Sequence, residues 1–287
     1  LFKQNYVMEV DGYDFVSKVV SVWKTDTENE IYRSPHFIFI KLSKELNLLS
    51  NIVHSRDETQ YNIAWLAGIY IFMFSIAAWC IFTFFNDRPI WLRLLVFLLF
   101  LFIFCDAGYI LYFNSLYGEP LQYISLMLLI SLGLLIYKRP SIPKVICFFV
   151  ALYFFAGSKL ANIPYSIITA LLAIAISVLR KDKLFKLAVT VSAVVSVLFI
   201  VQLYFSIPDW MDKDTTYQAV FYGILKGSDT VDQDLEELNL PEGYKALANT
   251  VVYNEESVYP IDIKSEAFDE GFYQKVNKWD ILGFYLR

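Results

Sequence analysis

Six long apolar runs separated by short polar segments dominate residues 62–207 of the chain. A helix rises about 1.5 Å per residue, so roughly 20 residues cross a hydrocarbon layer about 30 Å thick. Most of the runs approach that length, and the fourth is short enough to be broken or buried among its neighbours. The pattern predicts an all-α, multi-pass transmembrane helix bundle with about six spans, at residues 62–85, 93–113, 119–137, 143–158, 163–179 and 187–207.

The polar segment before the bundle, residues 1–61, is predicted to be an amphipathic helical segment. Apolar residues of 11–24 recur at helical spacing, which predicts one helix there. Ser34 and Pro35 then suit the N-cap and first turn of a second helix. We expect the apolar face of that helix to pack on the bundle or on the membrane surface.

The segment after the bundle, residues 208–287, is acidic and rich in aromatic residues. It predicts a helix at about 214–226 and two shorter helices on either side of a turn at 241–243. The aromatic residues of 268–287 favour a helical cap near the lipid headgroups, where such side chains are enriched. The chain is thus predicted to have three parts, divided at residues 61/62 and 207/208.

The orientation of the bundle is predicted from Lys and Arg, which favour cytoplasmic loops. Ten bases lie in residues 62–205, and nine of them fall in the loops after the first, third and fifth runs. These loops are predicted to be cytoplasmic. Both terminal segments are then extracytoplasmic, and Lys159 is the one base of this region toward the outside.

Composition narrows the possible partners. The chain is 57% hydrophobic and 18% charged, whereas soluble domains are about a quarter charged. Its net charge of −5 is concentrated in the final segment, which argues against nucleic acid or anionic headgroups as partners and leaves the bilayer as the expected one. Two histidines and three cysteines without ligand spacing show no metal site. No cofactor is evident, and a divalent metal is possible but unsupported.

Two further sequence features concern the extent of the chain and the kind of sugar donor. The chain begins at Leu1 rather than at a methionine and has no visible signal peptide, so we expect it to be a fragment with further helices before and after it. No Rossmann or P-loop fingerprint occurs, so a cytoplasmic nucleotide-sugar donor has no support.

Acidic residues in or beside spans are expensive, and each is a functional hypothesis. Asp106 is predicted to lie about seven residues inside its span, roughly 10 Å below the surface. It serves either packing and pairing, or substrate and proton handling. Glu119, between Gly118 and Pro120, lies near a helix N-terminus. It either complements that helix end or acts as a general base or polar contact to a sugar.

Lys159, with Ser158 and Asn162, lies at a predicted outer turn before a proline-started helix. The ammonium, hydroxyl and amide could hold the phosphate of a lipid carrier. The alternative is a lysine that snorkels to the headgroups. Asp106, Glu119 and Lys159 are therefore candidates to line one outward cavity.

Several stretches together resemble the bacterial WsfD-like membrane proteins of cell-surface glycan synthesis. They are YRSPHFIFIKLSKELN, SRDETQYNIAWLAGIY, DAGYILYFNSLYGEP, the SKLAN element and YQAVFYGILKGSDTVDQDLEELNLPEGYKALANT. The family has a lysine-glutamine-asparagine-like cluster where this chain has residues 158–162, which is a departure.

The resemblance implies a bacterial cell-membrane protein with the GT-C architecture. Such enzymes transfer sugars from polyprenyl-phosphate donors to a glycan acceptor on the outer face. They carry a catalytic acid in the first external loop, where this chain offers Asp11 and Asp14. Those two acids also suit the first turn of a helix.

The leading hypothesis is thus a membrane glycosyltransferase that uses a polyprenyl-phosphate-linked sugar. A carboxylate would deprotonate the acceptor hydroxyl while cationic or amide groups hold the departing phosphate. The alternatives are a lipid-linked glycan transporter or flippase without chemistry, and an assembly scaffold. The near absence of charges in the cytoplasmic halves of the spans disfavours transport.

Overall fold

The structure of the protein, a computed structural model, describes residues 22–24, 34–56, 60–252 and 259–286. Asp11 and Asp14 lie outside these residues. The chain divides into a membrane unit, Leu1–Ser206, and a C-terminal unit, Ile207–Arg287. Each unit has its own apolar core.

Apolar helices make up most of the membrane unit. Three of them are long and apolar enough to cross a bilayer: α2 (Ala64–Phe84), α5 (Glu119–Lys138) and α8 (Lys183–Phe205). A fourth candidate span is bent by 57° between α3 (Ile90–Phe104) and the stretch Ala107–Asn114. That stretch contains α4 (Ala107–Leu111) and a 3₁₀ turn.

The other two predicted spans are shorter apolar helices. The first, α6, covers Ile142–Ser158. The second consists of a 3₁₀ segment, Leu160–Ile167, followed by α7 (Ile168–Ser177). Pro164 lies within the 3₁₀ segment, where it has no N–H to donate to an α-helical ladder. Of the six predicted spans, three, or four with the bent pair, are long and apolar enough in the described residues to cross a bilayer, and the other two are shorter helices.

The bend in the predicted span 93–113 occurs at Asp106. Its backbone is extended (φ −62°, ψ 133°), and its side chain accepts a hydrogen bond from the Gly108 N–H at 2.8 Å. A short acidic side chain of this kind caps a new helix in place of the helical hydrogen bond. The Tyr123 hydroxyl donates to the carbonyl of Phe104 at 2.8 Å, so a carbonyl freed at the break has a partner.

The core of the membrane unit lies where α5 packs between α2 and α6, and α6 packs on α8. Tyr70, Phe113 and Leu121 are fully buried in one cluster, and Phe149 and Phe185 in another. Large apolar side chains cover the outside of the membrane unit, and Phe102 of α3 is 84% exposed. A water-soluble protein does not expose such a surface, which confirms the predicted all-α membrane bundle.

The first described helix of the unit, α1 (His36–Val53), buries a largely polar face. Asn47 and Asn51 donate to the carbonyl of Gln60 at 2.8 and 2.9 Å, and Ser43 Oγ is 2.6 Å from the Tyr61 hydroxyl. These side chains satisfy backbone groups of the neighbouring strand. Apolar residues of the opposite face, such as Leu49, are exposed. The expected packing of the apolar face on the membrane surface stays a prediction.

A two-stranded antiparallel ladder precedes the bundle. It pairs β1 (Val22–Lys24) with β2 (Gln60–Asn62), with Trp23 opposite Tyr61. The predicted helix over 11–24 is therefore wrong at 22–24, because strand pairing there overrides helical spacing; the rest of that range lies outside the described residues. The second helix does begin after Pro35, but the Ser34 hydroxyl contacts His36 Nδ1 and caps no backbone N–H.

The three basic loops gather at one end of the membrane unit, here called the basic end. Lys138 Nζ lies 2.6 Å from Asp87 Oδ1 and donates to the carbonyl of Phe84 at 2.8 Å. Arg180 donates to the carbonyl of Pro140 at 3.5 Å. These contacts join the loops after α2, α5 and α7. The side of the membrane that the basic end faces stays a prediction.

The C-terminal unit is a small helical fold around aromatic side chains. Its helices are α9 (Asp209–Tyr217), α10 (Val231–Glu237), α11 (Glu266–Phe268) and α12 (Lys278–Tyr285). A π-helical turn, Gln218–Ile224, extends α9, a 3₁₀ turn covers Glu242–Leu247, and a second π-helical turn, Asp269–Tyr273, extends α11.

Part of the predicted aromatic cap is core. Phe268 and Phe272 are fully buried and pack on Tyr217 and Phe221. Their spacing predicted a headgroup layer, but rings at positions four apart lie on one helical face and can equally form a core. Trp279 is 78% exposed.

Candidate functional site

The candidate site lies at the end of the membrane unit opposite the basic end. Glu119 occupies the first turn of α5, and Lys159 follows the last residue of α6 in an extended conformation. The Lys159 Nζ is 2.6 Å from Glu119 Oε1, and both side chains are more than a third exposed. Two of the three residues predicted to line one outward cavity thus form an ion pair.

Each charge also suits the helix end on which it lies. Helix N-termini favour anions and C-termini favour cations, which matches Glu119 and Lys159 respectively. An ion pair this exposed contributes only about 0–1 kcal/mol to folding. Charge complementation at the helix ends therefore explains where Glu119 and Lys159 lie, but their ion pair adds little to the free energy of folding.

Two glycines allow the backbone segments of this end to approach closely. A Cβ on Gly118 would lie 2.3 Å from the carbonyl oxygen of Ser158, and a Cβ on Gly157 would lie 2.5 Å from Pro35 Cγ. Real Cβ contacts are never that short, so larger residues would push the segments apart. The glycines bring the starts of α1 and α5 against the end of α6 and fix the position of the ion pair.

His36, the first residue of α1, completes the cluster. Its Nδ1 contacts the Ser34 hydroxyl, and it forms a hydrogen bond to the backbone of Leu116. Burial lowers the pKa of His36 to about 4, against the opposing effects of the nearby Glu119 carboxylate and of the Leu116 hydrogen bond. The imidazole is therefore neutral at physiological pH.

Ser158 and Asn162 lie beside Lys159 but are buried and already hydrogen-bonded. The Ser158 hydroxyl and the Asn162 amide both donate to the carbonyl of Phe155, at 2.8 and 3.1 Å. The Asn162 oxygen accepts from Gln122 Nε2 at 3.3 Å. In this arrangement they hold the turn that carries Lys159, and their direct role toward phosphate stays a prediction.

The remaining candidate acids do not join this cluster in the described residues. Asp106 is exposed at the bend between α3 and α4, and no hydrogen bond or ion pair connects it to Glu119 or Lys159. Glu119 and Lys159 are thus in contact, and a cavity that also includes Asp106 stays a prediction. Asp11 and Asp14 lie outside the described residues, so their position relative to the site stays a prediction.

Sequence reasoning missed His36 and Gln122. His36 follows the Ser-Pro pair from which only a helix start was predicted. It is one of two histidines in the chain, and this rarity is the signal that could have singled it out. Gln122 lies one helical turn after Glu119 and therefore on the same face. Within the described part of the chain, no three His, Cys, Asp or Glu side chains group as metal ligands.

The chemistry available at this end is acid–base and electrostatic. Lys159 offers an ammonium that can attract phosphate oxygens, and Glu119 offers a carboxylate that can accept a proton. The neutral His36 can donate or accept a hydrogen bond but adds no charge. The fold and this arrangement define a helical, multi-pass integral membrane protein with a polar cluster at one end of its bundle.

Comparison with known proteins identifies the family. The family model described as the YfdI N-terminal transmembrane domain matches residues 3–287. The chain therefore belongs to this family. Comparisons with curated proteins and with solved structures found no match.

Proposed function

We propose that this protein is a membrane glycosyltransferase of bacterial cell-surface glycan synthesis, with a polyprenyl-phosphate-linked sugar as its donor on the outer face. The observation that carries the proposal is the ion pair between Lys159 and Glu119, held beside His36 at the end of the bundle away from the basic loops. Family membership supports the membrane part of the proposal. The resemblance to WsfD-like proteins supports the glycan part.

The proposed donor explains why a lysine and a glutamate meet at a membrane-level turn. A polyprenyl phosphate carries its charge at the headgroup level, within reach of a lysine at the end of a span. Its phosphate would compete with Glu119 for the Lys159 ammonium, since phosphate and carboxylate are both good partners for that group. Phosphate binding would thereby release Glu119 in its charged form beside the sugar.

The proposed reaction is a transfer to a hydroxyl group. A carboxylate accepts the hydroxyl proton, and the hydroxyl oxygen forms a bond to the anomeric carbon. The bond between that carbon and the phosphate oxygen breaks, and the polyprenyl phosphate leaves with the electron pair. Lys159 stabilises the charge on the departing phosphate. Glu119, Asp106, Asp11 and Asp14 are the candidates for the base, and Glu119 is favoured by its contact with Lys159.

Transfer measured with the purified full chain tests the proposal. The chain in lipid nanodiscs would receive undecaprenyl-phosphate sugars and an acceptor glycan, and the initial rate of sugar transfer would be followed. Glu119→Gln should lower the rate about 10²-fold or more, because it removes a base. Lys159→Ala should lower it by a similar factor, because it removes phosphate stabilisation, and Lys159→Arg should recover part of the loss.

The matched controls lie at the basic end. Lys138→Ala and Asp87→Asn also break an ion pair with a 2.6 Å separation, and they should leave transfer within about twofold of wild type. If Lys159→Ala and Glu119→Gln both transferred sugar at the wild-type rate, the assignment of the site to these residues would be wrong. If the wild-type chain transferred no sugar from any polyprenyl-phosphate donor, the transferase proposal would be rejected in favour of a glycan transporter or an assembly scaffold.

A further inference from the structure

A second candidate site lies within the C-terminal unit. A cavity of about 680 Å³ opens between the first turns of α9 and the π-helical turn Asp269–Tyr273. Its volume is in the range of pockets that hold small organic ligands. π-Helical turns are rare and occur often at functional sites, because the widened turn redirects side chains.

Trp210 provides an open aromatic surface to the cavity. It lies in the first turn of α9 and is 47% exposed. Its position is unlike that of the core rings Phe268 and Phe272, which are fully buried in the same unit. The apolar C–H face of a pyranose ring packs well against an exposed aromatic ring, whose face is electron-rich.

Paired polar groups also line the cavity. Lys213 forms an ion pair with Asp269 and lies over the Tyr273 ring, 5.3 Å from its centroid. Gln274 Nε2 donates to the other oxygen of Asp269 at 3.3 Å. Lys213 and Gln274 hold the pKa of Asp269 below its ordinary value, so its carboxylate is an acceptor at neutral pH. Together these groups present donors and acceptors in pre-positioned form, which suits adjacent hydroxyls of a sugar.

The charge of the cavity selects against anionic ligands. Four acids but only two lysines line it, so phosphates and uronic acids meet a net negative surface. The acids do not form a metal site, since no group of three potential ligands occurs among the residues that the structure describes. A neutral ligand with many hydroxyls is the class that fits an exposed indole, a carboxylate, an amide and an ammonium.

We propose that this cavity binds a neutral saccharide, with Trp210 as the stacking surface and Lys213, Asp269 and Gln274 as hydrogen-bonding groups. The choice of a saccharide among neutral ligands rests on the proposed glycosyltransferase function, for which the saccharide would be the acceptor glycan. The residues that line the cavity, all within 210–274, do not include Glu119 or Lys159.

Binding without a donor sugar tests this site. The full chain in nanodiscs would be applied to an array of neutral and anionic bacterial oligosaccharides, and the affinity for the strongest ligand would be measured by calorimetry. We expect a neutral oligosaccharide to bind, and Trp210→Ala to weaken binding about tenfold or more. Asp269→Asn, a nearly isosteric change, should weaken it by a smaller factor. The matched control is Trp279→Ala, an exposed tryptophan of the same unit outside the cavity, which should bind as wild type.

Three outcomes would overturn the site: no neutral oligosaccharide binds, only anionic ones bind, or Trp210→Ala binds as wild type. Glu119→Gln separates the two proposals, because it should lose transfer and keep saccharide affinity. Saccharide binding by a wild-type chain that transfers no sugar would sustain this site and reject the transferase.

Discussion

At the basic end of the membrane unit, Lys138 pairs with Asp87 and also donates to a helix-end carbonyl. At the opposite end, Lys159 pairs with Glu119 beside a histidine that burial keeps neutral. The two ion pairs have the same 2.6 Å separation, but their surroundings differ. The loops of the basic end hold nine bases, with Lys138 among them, whereas the second pair lies beside a close approach of backbone segments at Gly118.

The two ends also differ in the groups that their charged side chains contact. Lysines at the basic end bind carbonyls of helix C-termini, as Lys144 does with Leu135 and Arg139, and this satisfies backbone groups that a helix leaves unpaired. Such an end displays positive charge and terminates spans. The Glu119 end instead places a small number of groups at fixed separations, which is the property that a binding or catalytic site requires.

The largest expected contrast between the ends is in their access to reagents. Cys80, Cys105 and Cys147 are free thiols and would first be replaced by serine. A cysteine at Asn114, near the Glu119 end, should then react fully with a membrane-impermeant maleimide on intact cells. A cysteine at Asp182, at the basic end, should react only after permeabilisation, because Lys- and Arg-rich loops favour the cytoplasm. Labelling of position 182 in intact cells would contradict the predicted orientation.

Gly118→Ala should produce the next largest effect. The new Cβ would lie 2.3 Å from the Ser158 carbonyl oxygen, so the start of α5 must move, at a cost of about 1–3 kcal/mol of unfolding free energy. The thermal unfolding midpoint in detergent measures this loss. The control is Gly133→Ala within α5, where the nearest contact is an ordinary 3.7 Å. Equal loss in both variants would show that close packing at the Glu119 end is not special.

Protonation of His36 should make the free energy of folding depend on pH, with a smaller effect than that of Gly118→Ala. Its pKa is about 4 in the folded protein against an ordinary 6.5. The unfolded chain therefore binds the proton first as the pH falls, so folding free energy is lost between about pH 6.5 and 4, and the loss saturates below pH 4. The total is at most about 3 kcal/mol.

Thermal midpoints of wild type and His36→Gln at pH 7 and pH 5 measure this dependence. The drop between the two pH values should be smaller in His36→Gln, which has no imidazole to protonate. His54→Gln, which changes an exposed histidine at the other end of α1, should keep the wild-type drop. An unchanged drop in His36→Gln would mean that the imidazole is not buried as described.

Hydropathy predicted the membrane bundle because a span needs a long apolar run, and such a run is visible without knowledge of packing. It could not predict the bend at Asp106. That bend depends on the Asp106 side chain, which caps a new helix by accepting from the Gly108 N–H. The mean hydropathy of the run changes little with one residue and therefore does not reveal the bend. The burial of the polar face of α1 was missed because it depends on a contact with a distant strand. Asn47 and Asn51 are buried since their amides donate to the carbonyl of Gln60 in β2.

Glu119 and Lys159 could be predicted as individual residues because charge beside a span is costly. Their contact could not, since 40 positions separate them in the chain and the packing of α5 on α6 brings them together. His36 lies even further from Glu119 in sequence. The contribution of such a residue to a site follows only from the fold.

The bend between α3 and α4 also bears on the lipid around the protein. The 15 residues of α3 extend about 22 Å along the helix axis, whereas the 21 residues of α2 extend about 31 Å. The hydrocarbon layer must match both lengths around one molecule, and each ångström of mismatch costs a fraction of a kcal/mol. We therefore expect a locally thinner bilayer beside α3, and a preference of this flank for short-chain lipids.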